Sequence, residues 1–251
     1  MKTTRMILYG IHPVEEALLA GRRKILKIYM SNRKSSRISK IVDRAESSRI
    51  PVEMISVDRL CSLAATGSHQ GVGAEVEEFP FSDPGRIMAA GGSGLVLILD
   101  GLMDPRNVGA LIRTALCVGV TGVILPKDRS VSVTPAVSMS SAGALEHIRL
   151  ARVTNISGIL KQLKSTGVWV AGLDPSAEQS IFEADLNGPL ALVVGSEEKG
   201  IRPLVKKNCD FLVSIPQQGR VDSLNVSVAG AVALYEAFRQ RQAMTGKTGH
   251  R

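Results

Sequence analysis

The sequence predicts an α/β protein in which a larger, parallel sheet follows a small α/β unit. Three observations carry that expectation. Helical and extended patterns alternate along the chain; the extended stretches of the second part are near-continuous runs of Val, Ile and Leu; and the conspicuous polar residues there come directly after those runs. Alternating strand and helix periods build parallel sheets. Strands that are apolar on both sides need helices on both faces of the sheet.

The small unit comes first. IHPVEEALLAG has a helical pattern, ILKIYMS reads as a strand, SSRISKIVDRAESS is helical, PVEMISV is a strand, VDRLCSLAAT a short helix and GVGAEVEEF a last strand. FPFSDPGRIMAAGGSG, residues 79–94, gathers Pro and Gly with little periodicity and reads as a linker. From LVLILDG the alternation resumes, with helix NVGALIRTALCVG, strand VTGVILP, a Ser-rich helical stretch TPAVSMSSAGALEHI and helix ISGILKQLKSTG. Strands VWVAGLD and ALVVG, a short helix after Gly200, strand FLVSIP and a closing helix over 223–241 complete it. The expected domains are 1–78, a linker 79–94, a second domain 95–245 and a disordered tail 246–251.

Composition narrows the function. With 44% hydrophobic residues in 251, a buried core is readily built. LVLIL and the uncharged stretch 223–235 fall short of the roughly 20 residues a membrane span needs. The N-terminus meets Gly10, Pro13 and two glutamates before any long apolar region, unlike a signal peptide. Cys61, Cys117 and Cys209 are far apart and odd in number, which fits reduced thiols in a cytoplasm rather than a disulfide frame or a zinc site.

The formal net charge of +8 is unevenly placed, because residues 1–50 hold twelve Lys or Arg against Glu15, Glu16, Asp43 and Glu46. The rest of the chain is close to neutral. RRKILK and RKSSRISK are the dense blocks, with Tyr29 between them, and they nominate Arg22, Arg23, Lys24, Lys27, Arg33, Lys34 and Arg37 as contacts to a polyanion. Concentrated cations attract nucleic acid through Coulomb attraction and counterion release. A solvated helical surface is the plainer alternative.

In parallel sheets the ligand site lies beyond the C-terminal ends of the strands, and three such ends carry polar residues. After LILDG, Asn107 opens a helix, as an N-cap or as a site residue, and Arg113 follows among apolar neighbours that imply a partner for it. After ALVVG, SEEKG is a turn that presents backbone N–H groups and Glu197. After FLVSIP, QQGRVDSLNVS offers Ser223, Asn225 and Ser227 where one helix cap would suffice. No GxGxxG follows a strand, no GxxxxGK[ST] or GxSxG occurs, and the four histidines show no metal spacing.

DPRNVGALIRTA, VVGSEEKGI and IPQQGRVDSLNVSVA, in this order, resemble the motifs of the SpoU (TrmH) family of RNA 2′-O-ribose methyltransferases. YGIHPVEEAL, HQGVGAEV, PKDRS, SAGALEHI and YEAFRQR look like its bacterial subgroup that methylates a guanosine of large-subunit ribosomal RNA. The resemblance implies a SPOUT fold with a C-terminal trefoil knot, preceded by a ribosomal-protein-L30e-like RNA-binding domain. It also implies S-adenosylmethionine as methyl donor, no metal, and a homodimer with the closing helix at the interface. Carried residue by residue, it places donor contacts at Gly195, Ile215 and Leu224 and the catalytic set on Asn107, Arg113, Glu197, Ser223 and Asn225. The resemblance implies Arg113 as the activator of the hydroxyl; since an arginine almost always stays protonated, the favoured role is to bind phosphate and stabilise the forming alkoxide, with that of general base as the alternative. Ser227 is expected to be an ordinary helical serine bonded four residues back. Two departures, Glu198 where many relatives have Gly and Gln217 where a Met often follows the proline, bear on the shape of the donor loops. The alternatives are transfer to tRNA or another ribosomal site, and a non-catalytic RNA-binding relative.

Overall fold

The structure is a computed structural model that describes residues 5–32, 35–92, 94–219 and 224–244. It divides into two units, one formed by residues 1–80 with 132–147 and one by 81–131 with 148–251. The expected tail 246–251 lies outside the described residues.

The first unit has four strands, β1 (Arg5–Tyr9), β2 (Ile25–Met30), β3 (Val52–Met54) and β4 (Val72–Glu77), in the order β1-β4-β2-β3. β4 runs antiparallel to both neighbours, while β2 and β3 are parallel. Sequence periodicity missed β1, five residues that follow a polar start and pair only with β4. Helix α1 (Ile11–Ala20) stops at Gly21, which takes the left-handed conformation (φ 59°) that residues with a side chain adopt at a cost. Helix α2 (Ser36–Ser47) starts at Ser35, whose hydroxyl accepts from the Ile38 N–H at 3.2 Å. Helix α3 (Val57–Ala64) is capped likewise by Ser56. Ile38, Ile41 and Ala45 of α2 join Leu8, Val14, Ile28 and Val76 in the core of this unit.

The stretch 79–94 is more than a linker. Asp83 caps a helix, α4 (Pro84–Gly91), in which Pro84 takes the first turn and Ile87 is buried. Its Gly and Pro are helix punctuation, which single-residue composition cannot distinguish from a flexible segment.

The chain then builds β5 (Leu95–Asp100), α5 (Pro105–Cys117) and β6 (Gly122–Pro126). Residues 132–147 follow and pack within the first unit, as helix α6 (Pro135–Ser140) and a 3-10 turn at Ala144–Glu146. Sequence reading assigned this passage to the second domain. Its anchor is Glu146, whose carboxylate takes a bidentate contact from Arg23 (2.9 and 3.0 Å) and one from the Ser138 hydroxyl (2.8 Å). Arg23 and Glu146 have side-chain exposures of 2% and 1%.

The second unit resumes with β7 (Leu150–Val153), a strand the periodicity missed, then α7 (Ile156–Ser165), β8 (Trp169–Leu173), β9 (Leu190–Gly195), α8 (Pro203–Lys207), β10 (Phe211–Val213) and α9 (Val226–Met244). The sheet order is β10-β8-β9-β5-β6-β7, and all neighbours are parallel. Every residue of β5 and β9 is buried, as their unbroken apolar runs require. β9 lies beside β5, so the chain ends that follow these two central strands meet at one edge. α9 packs closely on α5, because Gly230 leaves room for Leu111 where a Cβ would overlap it.

Candidate active site

Three side chains from three elements converge beyond β5 and β9. Asn107 stands in the first turn of α5 and is 8% exposed. It is not the cap: Asp104 Oδ1 accepts the Arg106 N–H at 2.8 Å and leaves the Asn107 amide free. Asn107 Nδ2 donates to Glu197 Oε1 in the loop after β9. Asn225, just before α9, donates through Nδ2 to Glu197 Oε1 and to Asn107 Oδ1, each at 3.2 Å.

Asn225 also caps α9, since its Oδ1 accepts from the Ser227 N–H at 2.9 Å and the Ser227 hydroxyl at 2.6 Å. These donors fix the amide orientation and turn Nδ2 toward the carboxylate. Ser227 therefore orients Asn225, a role that its position in a helical pattern conceals, and Ser223, four residues back, lies outside the described residues. Glu197 Oε1 takes two amide donors, whereas Oε2 accepts no hydrogen bond among the described residues.

Beside this cluster opens a cavity of about 400 Å³. Gly195, Glu197, Ile215 and Leu224 all line it, as do Glu198 and Gln217, the two departures from the family pattern. Gly195 has no alternative there, because a Cβ would overlap the Gly200 carbonyl and the Ile201 nitrogen. The loop between them closes on itself through a pair of backbone bonds between Ser196 and Gly200, at 2.9 and 3.0 Å. It is tied down from below by Asp100, buried at the end of β5, which accepts the Arg202 backbone N–H at 2.9 Å and its Nε at 2.7 Å.

Asp174 and Lys206 form a further part of the lining that sequence reading passed over. They pair at 2.7 Å, and Asp174 Oδ1 accepts from both the Ser176 N–H and hydroxyl. Burial works against the charge on Asp174, but the contacts from Lys206 and Ser176 hold its carboxyl below the usual range. The available signal was its place at the end of strand VWVAGLD.

Arg113 is exposed on α5, and no hydrogen bond joins it to Asn107, Glu197 or Asn225 among the described residues. Of the apolar neighbours that implied a partner, Leu111, Ile112 and Ala115 are buried on another face of the helix, and Leu116, three residues after Arg113, is itself exposed. Ser223, Arg33 and Lys34 lie outside the described residues. Arg23 is buried against Glu146, which removes it from the surface. Arg22 donates to the Glu146 carbonyl oxygen and lies over Phe79, Lys24 pairs with Glu77, Lys27 pairs with Glu53, and Arg37 Nη1 donates to His12 Nε2 at 2.8 Å.

Comparison with known proteins places these features in context. A model described as the SpoU rRNA Methylase family matches residues 94–235, and one described as RNA 2′-O ribose methyltransferase substrate binding matches residues 7–82. The chain is 43% identical over 241 residues to the 23S rRNA (guanosine-2′-O-)-methyltransferase RlmB of Coxiella burnetii, covering 94% of this chain and 96% of that one. It is 40% identical over 237 residues to YacO of Bacillus subtilis, named as a putative TrmH family tRNA/rRNA methyltransferase, covering 92% and 94%. Among solved structures, the SpoU methyltransferase AviRb from Streptomyces viridochromogenes in complex with AdoMet superposes with a TM-score of 0.81 at 25% identity, covering 95% of this chain and 91% of that one.

Proposed function

The chain belongs to the SpoU rRNA methylase family, and on that premise we propose that it methylates the ribose 2′-hydroxyl of a guanosine in 23S ribosomal RNA, with S-adenosylmethionine as donor. The observation that carries this reading is Glu197, held by two amides at the rim of a cavity of about 400 Å³. The lining suits the donor. A glycine strand end allows close backbone approach, Ile215 and Leu224 offer apolar contact to a purine, and the carboxylates of Glu197 and Glu198 favour a cation. When bound, the donor supplies an electrophilic methyl on a sulfonium whose thioether departs uncharged.

The protein's task is then to hold the hydroxyl in line and to accept its proton as it attacks. In this reading Glu197 Oε2 receives the hydroxyl hydrogen, while Asn107 and Asn225 fix the carboxylate. Arg113, exposed and almost always protonated, binds a phosphate of the RNA and stabilises the forming alkoxide, and Ser223 contributes a further hydroxyl. The first unit, L30e-like in this reading, delivers the RNA, and the loops that form the cavity close in a trefoil knot. The exposed apolar side chains Val228 and Tyr235 of α9 support a homodimer through that helix, with both subunits in the cytoplasm where ribosomal RNA is made. Among the described residues no helix is long and apolar enough to cross a membrane.

The test is transfer of tritium from labelled S-adenosylmethionine to unmethylated 23S RNA and, because YacO is named for both substrates, to tRNA. The wild-type chain is expected to yield one 2′-O-methylguanosine in 23S RNA. Asn107→Ala and Asn225→Ala should each lower the rate on the order of 100-fold with donor affinity little changed. Label on a base, or Asn225→Ala at the wild-type rate, would refute the mechanism; label in tRNA alone would reassign the substrate.

A further inference from the structure

The cations of the first unit are not equivalent. Four of them are already neutralised: Arg5 by Glu75 at 2.9 Å, Arg23 by Glu146 at 2.9 Å, Lys24 by Glu77 at 3.5 Å and Lys27 by Glu53 at 2.9 Å. Three of the four cations of RRKILK, the densest block in the sequence, are therefore offset by carboxylates where they stand. A phosphate gains affinity from cations whose compensating ions leave on binding, and a carboxylate fixed within the same fold does not leave.

Helix α2 differs. Its buried stripe is Ile38, Ile41 and Ala45, and one residue earlier at each step stand Arg37, Lys40 and Arg44, all exposed. At 100° per residue these three cations fall within about 60° of one another and span about 10 Å along the axis. The acidic residues of α2, Asp43 and Glu46, lie roughly 90° and 150° around from this row of cations. Among the described residues, Lys40 and Arg44 form no ion pair, and Arg37 meets only the His12 ring, which has no negative charge to offer. Arg44 in the last turn also favours the helix C-terminal carbonyls, which accounts for one of the charges but not for the row.

We propose that the Arg37–Lys40–Arg44 face of α2 is the surface on which the first unit takes the phosphate backbone of its RNA, and that the RRKILK block is structural. The proposal rests on the RNA-methylation reading above and adds to it the side of the unit that meets the substrate. A row of cations on one helix face tracks successive phosphates without reading bases, so it positions RNA and leaves the choice of nucleotide to the active site.

The experiment uses the full chain. Binding to a 23S RNA transcript is measured from 0.05 to 0.3 M salt, about the range in which such contacts are lost, for wild type, Lys40→Gln/Arg44→Gln and Lys24→Gln/Lys27→Gln, with donor affinity and thermal melting measured alongside. The α2 variant is expected to bind RNA on the order of tenfold more weakly, with a salt slope shallower by about 2. Its donor affinity should be unchanged, and the Lys24/Lys27 variant should stay within about twofold of wild type. A normal affinity and slope for the α2 variant, or a loss confined to the Lys24/Lys27 variant, overturns the proposal while methylation of RNA by the wild type still stands. Absence of RNA binding by the wild type overturns both readings.

Discussion

Asn225 does two things with one amide. Its oxygen caps α9 and its nitrogen donates to Glu197 and Asn107, so the residue that starts the helix also sets the position of the carboxylate. Cap and site residue were competing explanations in the sequence; a side chain with separate donor and acceptor ends satisfies both. The thiols illustrate the same dependence on surroundings. Burial, with a lesser effect from Asp210, pushes Cys209 up to about 12, whereas Cys117 is exposed. A thiol reacts as its thiolate, so at pH 8 an alkylating reagent should label Cys117 and leave Cys209 intact until the protein is unfolded. Mass spectrometry of the peptides checks this, and rapid labelling of Cys209 in the native chain would show that its pocket opens.

At the scale of elements, the cavity depends on how β9 ends. The Gly195 turn brings Ser196, Glu197 and Gly200 back across the strand end, and Asp100 of β5 fixes the far side of the loop through Arg202. The atoms that a side chain at Gly195 would strike are backbone, not the flexible tip of another residue. Gly195→Ala should therefore weaken donor binding by at least tenfold and cost about 1–3 kcal/mol of stability. Calorimetry with S-adenosylmethionine and urea unfolding provide the two numbers. Gly230 differs, since the atom in the way is a terminal methyl of the buried Leu111 side chain and not backbone.

For the whole molecule, the telling feature is that one unit is made from two distant parts of the chain. Residues 132–147 leave the larger sheet after β6 and are held in the first unit by the Arg23–Glu146 pair, which spans 123 positions in sequence. Burial pushes the Glu146 carboxyl up and the Arg23 guanidinium down against their mutual attraction, so the pair selects one arrangement more than it stabilises. Glu146→Leu should cost about 3–5 kcal/mol, because it strands a buried guanidinium, and Arg23→Met/Glu146→Leu should recover most of that loss. Urea unfolding of the two single variants and the double variant measures the coupling. Additive losses would mean that the pair does not hold the segment.

Patterns internal to a segment were readable directly. The apolar runs of β5 and β9 and the 3.6-residue period of α2 and α7 are set by neighbours a few positions away, and so the α/β class and the strand-end location of Asn107, Glu197 and Asn225 could be read from the chain alone. What the sequence could not decide depends on distant partners. Short strands β1 and β7 exist because a neighbour pairs with them, Arg113 faces outward because α5 buries its other side, and three of the four cations of RRKILK are paired with carboxylates 26 to 123 residues away. The sequence by itself determined which residues are available for chemistry; the tertiary structure decided which of them meet, because charge and hydrogen bonding act over a few ångströms of space and not along the chain.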